Sequence, residues 1–530
     1  MASSDPFDAI LDRIKAGQQT EADLAALQDL MRQGDAQSLR ELSKHINIGQ
    51  VSGGELQIGD RTYNYRVEWS DEIKQALIEA IQTQLPALKR FVRCKPRTAI
   101  FTSLGVTAAV ALIRFAGLLQ HLELAAYDHL LQTRLQTDPN SQSWTDDRLV
   151  IIEVTDDDRA EQKLRHEDLR GTSLSNASLL RLLQILDQAK PLVIGLDLYR
   201  DDPLNPQESA LAQRFQSQSN LFTVCKVDDQ NLKVGEDRGD PPPGVPGDRI
   251  GFSDFIADAD GVLRRQLLAF REKPSFQASS NCQAELAFNL RLATSYLQQK
   301  QQLSVQATFT PENHCTGISS SNGVTLPNLQ FYTGGYQGDD SIAGCQMLLN
   351  YRTHPTNNPI APTYSLTQML RGQIPATALK DRIILIGSIS GVSEDVWRTP
   401  FTTNTPGVYL QAQMISQILH IASGNGRYGI WVLPQWAELL WILAWSFVGS
   451  GLAWGLRSPQ RLLIAIGSAA LVLYISSIVL FLMNGWLPLL PAAIVLVGSG
   501  GGMWGLTLRR NLGGRNLQME QPSGGKANES

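Results

Sequence analysis

Residues 462–483 read LLIAIGSAALVLYISSIVLFLM, without one charged side chain. A bilayer core takes about 20 mostly apolar helical residues, so this stretch is long enough to cross it. Two more lie against it, Trp436–Leu456 and Trp486–Leu508, separated from it only by Arg457–Arg461 and Asn484–Gly485. No water-soluble fold brings three such helices together with so little polar surface. A fourth, Thr98–Leu119 (TAIFTSLGVTAAVALIRFAGLL), stands far upstream and is interrupted by Arg114. A buried core helix is the other reading of that segment. Arg114 lies close to its far end, where a long side chain can snorkel to the headgroups. Trp436, Trp441, Trp445, Trp454, Trp486 and Trp504 fall mostly near segment ends, as interfacial anchors do. Ser499 and Gly500–Gly502 would permit close helix–helix approach.

Orientation follows from the Lys and Arg counts near the helix ends. Lys89, Arg90, Arg93, Lys95 and Arg97 precede the first segment, while Glu123, Asp128 and only Arg134 follow it. Arg457 and Arg461 lie between the second and third segments, and Arg509, Arg510 and Arg515 follow the fourth. Both termini are therefore expected in the cytoplasm, with residues 120–430 periplasmic, in a multi-pass inner-membrane protein. The opening MASSDPFDAILDRIKAG lacks a basic n-region followed by an apolar run, so any export is expected to be driven by an internal segment. A net charge of −5, from 46 basic and 51 acidic residues, argues against a nucleic-acid partner.

Between the first and second segments the chain alternates strand-like and helix-like runs. LVIIEV (149–154), PLVIGLDL (191–198), Leu221–Val227 and DRIILIG (381–387) read as apolar strands. Ser178–Gln188, Glu285–Leu297 and Val408–Ala422 read as helices. Fully apolar strands in such units imply a mostly parallel sheet covered on both faces. The expected fold is thus a membrane protein with an extracytoplasmic α/β domain, four transmembrane helices, and a small α+β cytoplasmic N-terminal domain.

The order of motifs resembles the second type of CHASE domain (CHASE 2), a sensory module of bacterial signalling proteins. The residues that carry the likeness are LELAAYDHLLQTRL (122–135), DDRLVIIEVTDDD, VIGLDLYRDDP, GFSDFIADADGVLRRQ, LLNYR, DRIILIGSISGVSEDVWRTPF and GVYLQAQMISQIL, followed by three closely spaced membrane helices. The resemblance covers residues 98–508. It implies an extracytoplasmic sensor domain, which in relatives commonly feeds a histidine kinase, a nucleotide cyclase or a Ser/Thr kinase.

In open parallel sheets, ligands sit beyond the carboxyl ends of strands. That rule selects Glu153, Thr155 and Asp156 after one strand, Asp197, Tyr199 and Arg200 after another, and Ser388 and Ser390 after a third as candidate ligand-binding residues. Ordinary loop polarity would place the same residues there. DADGVLR (258–264) resembles the start of a calcium loop but lacks the later bidentate Glu, so a turn before a strand is expected. Cys225, Cys282, Cys315 and Cys345 fall in the external region, an even number in a compartment that permits disulfides. Three connectivities are open. Cys282–Cys315 is favoured because both flank an irregular insert at 298–325. No metal site or cofactor is expected.

In residues 1–90, Phe7, Ile10, Leu11 and Ile14 share a helix face, Thr20–Asp23 can open a second helix, and Ser70 can cap a third. The hexads HINIGQ (45–50) and ELQIGD (55–60) alternate apolar and polar residues around a turn at Val51–Gly54. IKAGQQTEADL and NIGQVSGGELQIGDRTY resemble an effector-associated domain, small modules of cyanobacterial defence-like systems thought to pair with matching domains on other proteins. A plain helical linker domain is the alternative.

The expected function is a transmembrane sensor, not an enzyme, that relays an unidentified extracytoplasmic stimulus to a cytoplasmic effector recruited through the N-terminal domain. A membrane-anchored scaffold, or a regulatory subunit of a kinase or cyclase system, is the alternative. Residues 509–530 are Gly-rich and polar and are expected to be a disordered tail, with no P-loop or kinase motif in the chain. Four helices with almost no polar groups leave no ion path for a transporter. Expected partners are membrane lipid, an unidentified external ligand and the effector. Sensors of this kind often work as homodimers.

Overall fold

The computed structural model describes residues 97–137, 145–169, 173–227, 239–271, 282–311, 314–330, 332–337, 344–354, 359–391, 395–424, 429–456 and 458–519, and two strands upstream of them. The chain divides into two compact units, Met1–Cys94 and Lys95–Ser530. In the first, β1 (Glu55–Ile58) pairs antiparallel with β2 (Arg61–Asn64). The second hexad is therefore a strand, as its alternation requires, but its partner is the segment immediately after it. The first hexad, the helices expected around it and the turn at Val51–Gly54 lie outside the described residues.

The second unit opens with α1 (Arg97–Phe115), a break at Ala116–Leu119 with Gly117 at φ 75°, and α2 (Gln120–Thr137). The strands follow: β3 (Leu149–Val154), β4 (Val193–Asp197), β5 (Leu221–Cys225), β6 (Ile250–Phe252), β7 (Arg265–Ala269), β8 (Val305–Phe309), β9 (Cys315–Ser320), β10 (Thr325–Leu326), β11 (Cys345–Leu348), β12 (Thr363–Ser365) and β13 (Ile383–Ser388). Six of them form one all-parallel sheet in the order β12–β3–β13–β4–β5–β6. Small antiparallel groups flank it: β7 with β11, β8–β9–β10, and the short pair Val396–Trp397 with Thr405–Pro406.

The helices between the strands are α3 (Asp156–Leu164), α4 (Asn176–Ala189), α5 (Ser209–Ser217), α6 (Phe288–Gln301), α7 (Leu366–Leu370) and α8 (Gly407–Ala422). α4, α5 and α7 pack together on one side of the sheet, and α6 with α8 on the other. The strands are apolar along their whole length because both faces are covered: every residue of β5 and β13 is buried. Glycines let the helices come close. A Cβ at Gly251 would lie 2.5 Å from the Phe288 Cα, and one at Gly387 2.5 Å from Val408. Gly251→Ala is expected to cost about 1–3 kcal/mol, since backbone cannot yield as a side-chain end can. Gly247→Ala, with nothing within 4 Å of its Cβ, should leave the melting temperature unchanged.

The disulfides are Cys225–Cys282 and Cys315–Cys345, with Cα separations of 5.6 and 5.1 Å, which corrects the expected Cys282–Cys315 pair. Nearness in sequence to the insert does not decide the pairing; strand neighbours do. Cys225 ends β5 beside β6, whose Phe252 bridges to Ala287, so the chain around 282 is drawn to it. Cys315 opens β9, which packs against β11 and its first residue, Cys345.

Four helices are long and apolar enough to cross a membrane: α1, α9 (Gln435–Gly455), α10 (Pro459–Leu482), and α11 (Leu489–Met519) over Leu489–Thr507. α1, α9 and α11 form a tight group. Ser103 on α1 bonds to the Ser446 carbonyl and Ser450 hydroxyl on α9, and the Ser499 hydroxyl on α11 donates to the same Ser446 carbonyl at 2.8 Å. A Cβ at Gly449 would lie 2.1 Å from the Leu496 carbonyl, so small residues do bring these backbones together. α11 runs on to Met519, through the first part of the stretch expected to be disordered. Extending an existing helix needs no new nucleus, so even a Gly-containing continuation can form.

Two expectations about the helix ends are overturned. Arg114 does not snorkel: it is fully buried, donating from Nε and Nη2 to Glu123 at 2.9 and 3.2 Å and from Nη1 to Glu438 at 2.8 Å. Trp486 is no interfacial anchor: it is 2 % exposed and packs edge-on to Tyr127 and Tyr336. The apolar helices thus carry more buried polarity than their composition suggested. Each of these groups has partners on another element, which could not be read from one helix at a time.

Candidate functional site

The eight residues selected from the sequence do sit at the carboxyl ends of β3, β4 and β13, where Glu153, Gly387 and Asp197 are register partners across three neighbouring strands. Their roles diverge. The Glu153 carboxylate accepts the Tyr409 hydroxyl at 2.6 Å, and burial pushes its pKa up. Thr155 caps α3 in a reciprocal box with Asp158, a helix-starting role. Asp156 accepts the Gly391 N–H at 3.1 Å and so holds the turn after β13. Arg200 turns away to the Leu174 carbonyl at 2.6 Å and the Asn176 side chain. The Ser388 and Ser390 hydroxyls bond to each other at 3.0 Å, both buried.

Asp197 is the member with unusual electrostatics. It faces Asp395, a residue that sequence reasoning missed, and burial together with that second carboxylate pushes its pKa well up. Asp395 accepts the Trp397 indole N–H at 2.7 Å. A Cβ at Gly407, the first residue of α8, would lie 2.0 Å from the Asp395 carboxylate. Only glycine therefore lets that carboxylate sit against the helix's amino end, where the backbone dipole favours negative charge. Burial raises the Asp395 pKa as well, while the nearby Lys226 lowers it. The signal available in the sequence was the acidic pair in SEDVW, but its distance along the chain from Asp197 hid the contact. Tyr199 bonds to the Ser253 hydroxyl at 2.7 Å, at the same end of the sheet.

A carboxyl with a raised folded pKa destabilises the fold as it ionises. As pH rises past the ordinary carboxylate value of about 4, the unfolded chain loses its proton first and stability falls until the folded pKa is passed. Asp197→Asn is therefore expected to stabilise the protein at pH 7 by about 1–2 kcal/mol. The gain should vanish near pH 4, as read by thermal unfolding at the two pH values.

A second constellation ties the sheet domain to the apolar helices. The loop Thr333–Gln337 places the Gly334 N–H on Glu438 Oε1 at 2.9 Å and the Gly334 carbonyl on Arg114 Nη2. Burial raises the pKa of Glu123, the α2 member of this cluster, against the pull of Arg114. Gly334, at φ +61°, and Gly335 lie against the Trp486 ring, where a Cβ would come within 2.6 and 2.7 Å of it. Tyr336 reaches back to Asp258 at 3.0 Å, into a network in which Asp258, Asp260 and Asp128 are bound by Arg264, and Asp258 also by Arg265. DADGVLR is thus a turn before β7 whose carboxylates are filled by arginines. Nearby, Arg134 and Asn350 both bond to Asn484, between α10 and α11, at 3.3 and 3.0 Å. The loop and the side chains near it thereby touch α1, α9 and the turn between α10 and α11.

A family model described as Effector-associated domain 10 matches residues 1–81. One described as the CHASE2 domain matches residues 105–451. No curated protein and no solved structure matches. The second of those matches spans the sheet, both disulfides and the Arg114–Glu438 contact: the chain belongs to the CHASE2-domain family.

Proposed function

We propose that the chain is a multi-pass inner-membrane signal sensor without catalytic activity of its own. Residues 120–430 lie outside the cytoplasm and detect the stimulus, and residues 1–90 recruit a cytoplasmic effector. The observation that carries this reading is the junction. Gly334 bonds simultaneously to α1 through Arg114 and to α9 through Glu438, while its loop packs on Trp486 at the turn between α10 and α11. A ligand bound to the sheet domain can shift the helices only by favouring one of two arrangements, and a bonded junction is where such a preference can act. The Lys and Arg clusters at Lys89–Arg97, Arg457–Arg461 and Arg509–Arg515 support a cytoplasmic location for both termini. The two disulfides within residues 225–345 fit an oxidising compartment.

Membrane-impermeant thiol labelling of single cysteines tests the topology. A cysteine placed near residue 260 should react in intact spheroplasts, and one near residue 520 only after lysis; the reverse pattern would end the sensor reading. Affinity capture with the full chain, with and without residues 1–90, tests the relay. The expected partner carries its own effector-associated domain and is lost on truncation.

A further inference from the structure

We infer that the sheet domain holds a second site, at the amino end of edge strand β6, that takes a zwitterionic small molecule, an apolar α-amino acid. A surface cavity of about 530 Å³ lies there between the turn before β6, the first turn of α6, and β8. Arg291 projects into its lining from α6. Its Nε is buried without a hydrogen-bond partner, and the guanidinium makes no hydrogen bond or ion pair with any described residue. A partly buried guanidinium costs free energy unless its donors are satisfied, and a carboxylate satisfies them in matching planar geometry. Burial lowers the Arg291 pKa, and the nearby Asp248 and Glu285 carboxylates offset only part of that.

Asp248 lines the same cavity, exposed and within electrostatic reach of Arg291, but without a hydrogen bond or ion pair to any described residue. Arg291 and Asp248 are thus opposite charges that line one space and do not pair. Glu285, the other acid of the lining, is already held by Arg271 at 2.8 and 3.0 Å, which leaves Asp248 to receive an ammonium group. Leu286, Val305 and Phe309 supply the apolar wall. Phe309 is fixed by the Arg271 guanidinium 4.7 Å above its ring. A carboxylate on Arg291, an ammonium on Asp248 and an apolar side chain against Val305 and Phe309 satisfy all three features at once. The volume is ample for such a molecule.

This proposal deepens the sensing reading and rests on it for its meaning, but its test does not. Isothermal calorimetry on the full chain in lipid nanodiscs, with L-phenylalanine and L-leucine as probes, is expected to give saturable binding with a Kd of about 1 mM or below. Phenylalaninamide lacks the carboxylate and 3-phenylpropionate the amine; each should bind at least tenfold more weakly. Arg291→Gln and Asp248→Asn should each weaken phenylalanine by a similar factor while leaving the melting temperature of the empty protein unchanged. Absence of saturable heat from either probe in a protein with its normal thermal transition would overturn the site. So would binding that survives both substitutions. Binding as expected, with topology or effector capture failing, would keep the site and remove the relay.

Discussion

Arg114→Leu is expected to destabilise the solubilised protein by about 3–5 kcal/mol, the range for removing one partner of a buried ion pair. The arginine is fully buried between Glu123 and Glu438, themselves 2 % and 0 % exposed, and supplies three of the hydrogen bonds their carboxylates receive. Without it, two carboxylates lose their shared counter-charge inside the protein, and Gly334 loses the donor to its carbonyl. Lysine at position 114 should recover only part of the loss, because a point charge cannot bridge two carboxylates and a carbonyl in a fixed fork. The triple variant Arg114→Leu, Glu123→Gln, Glu438→Gln removes the whole charge set and should regain most of the stability. Thermal unfolding followed by size-exclusion recovery reads all of these. An unchanged midpoint for Arg114→Leu would show that the arginine reaches the headgroups after all. If the junction also transmits the signal, the triple variant should be stable yet deaf, separating a relay from a mere support.

Asp258→Ala should cost a comparable amount, about 3–5 kcal/mol. Asp258 takes Arg264 at 2.8 Å on one oxygen and Arg265 at 2.8 Å on the other, and it accepts the Tyr336 hydroxyl as well. Arg264 would keep Asp128 and Asp260, whereas Arg265 would lose its ion pair with Asp258. That residue is wholly buried and would keep Gln346 at 3.0 Å and the Tyr336 ring beneath it. Asp258→Asn keeps an acceptor in place and should lose less. Because arginines occupy these carboxylates, added calcium or a chelator should leave the melting temperature where it was. A rise with calcium would mean the ion displaces the arginines.

The two substitutions probe different layers of one junction. Arg114 ties the loop at Gly334 to α1, α2 and α9, whereas Asp258 ties the same loop, through Tyr336, to the β7–β11 ribbon. Its core contains Tyr127 of α2, Met414 of α8, Phe481 of α10 and Trp486 in one apolar cluster. Among the described residues, the sheet domain meets the apolar helices through close-packed aromatic rings and buried ion pairs. Packed interfaces of that kind switch between discrete arrangements more readily than they deform.

The apolar stretches, the parallel sheet and the family were legible from the residues alone. A helix crossing lipid must be apolar along its length, and a strand covered on both faces must be apolar at every position, so both announce themselves in any window of the chain. The motifs from Leu122 to Leu419 needed only their order. What tertiary structure alone decided were the pairings between residues far apart in sequence. These include Cys225 with Cys282, Asp197 with Asp395, Arg114 with Glu438, and Trp486 buried under Tyr127. A one-dimensional pattern reports how much a position is buried but not what buries it. The free energy of a charge, a thiol or an aromatic ring depends on that partner, which long-range packing supplies.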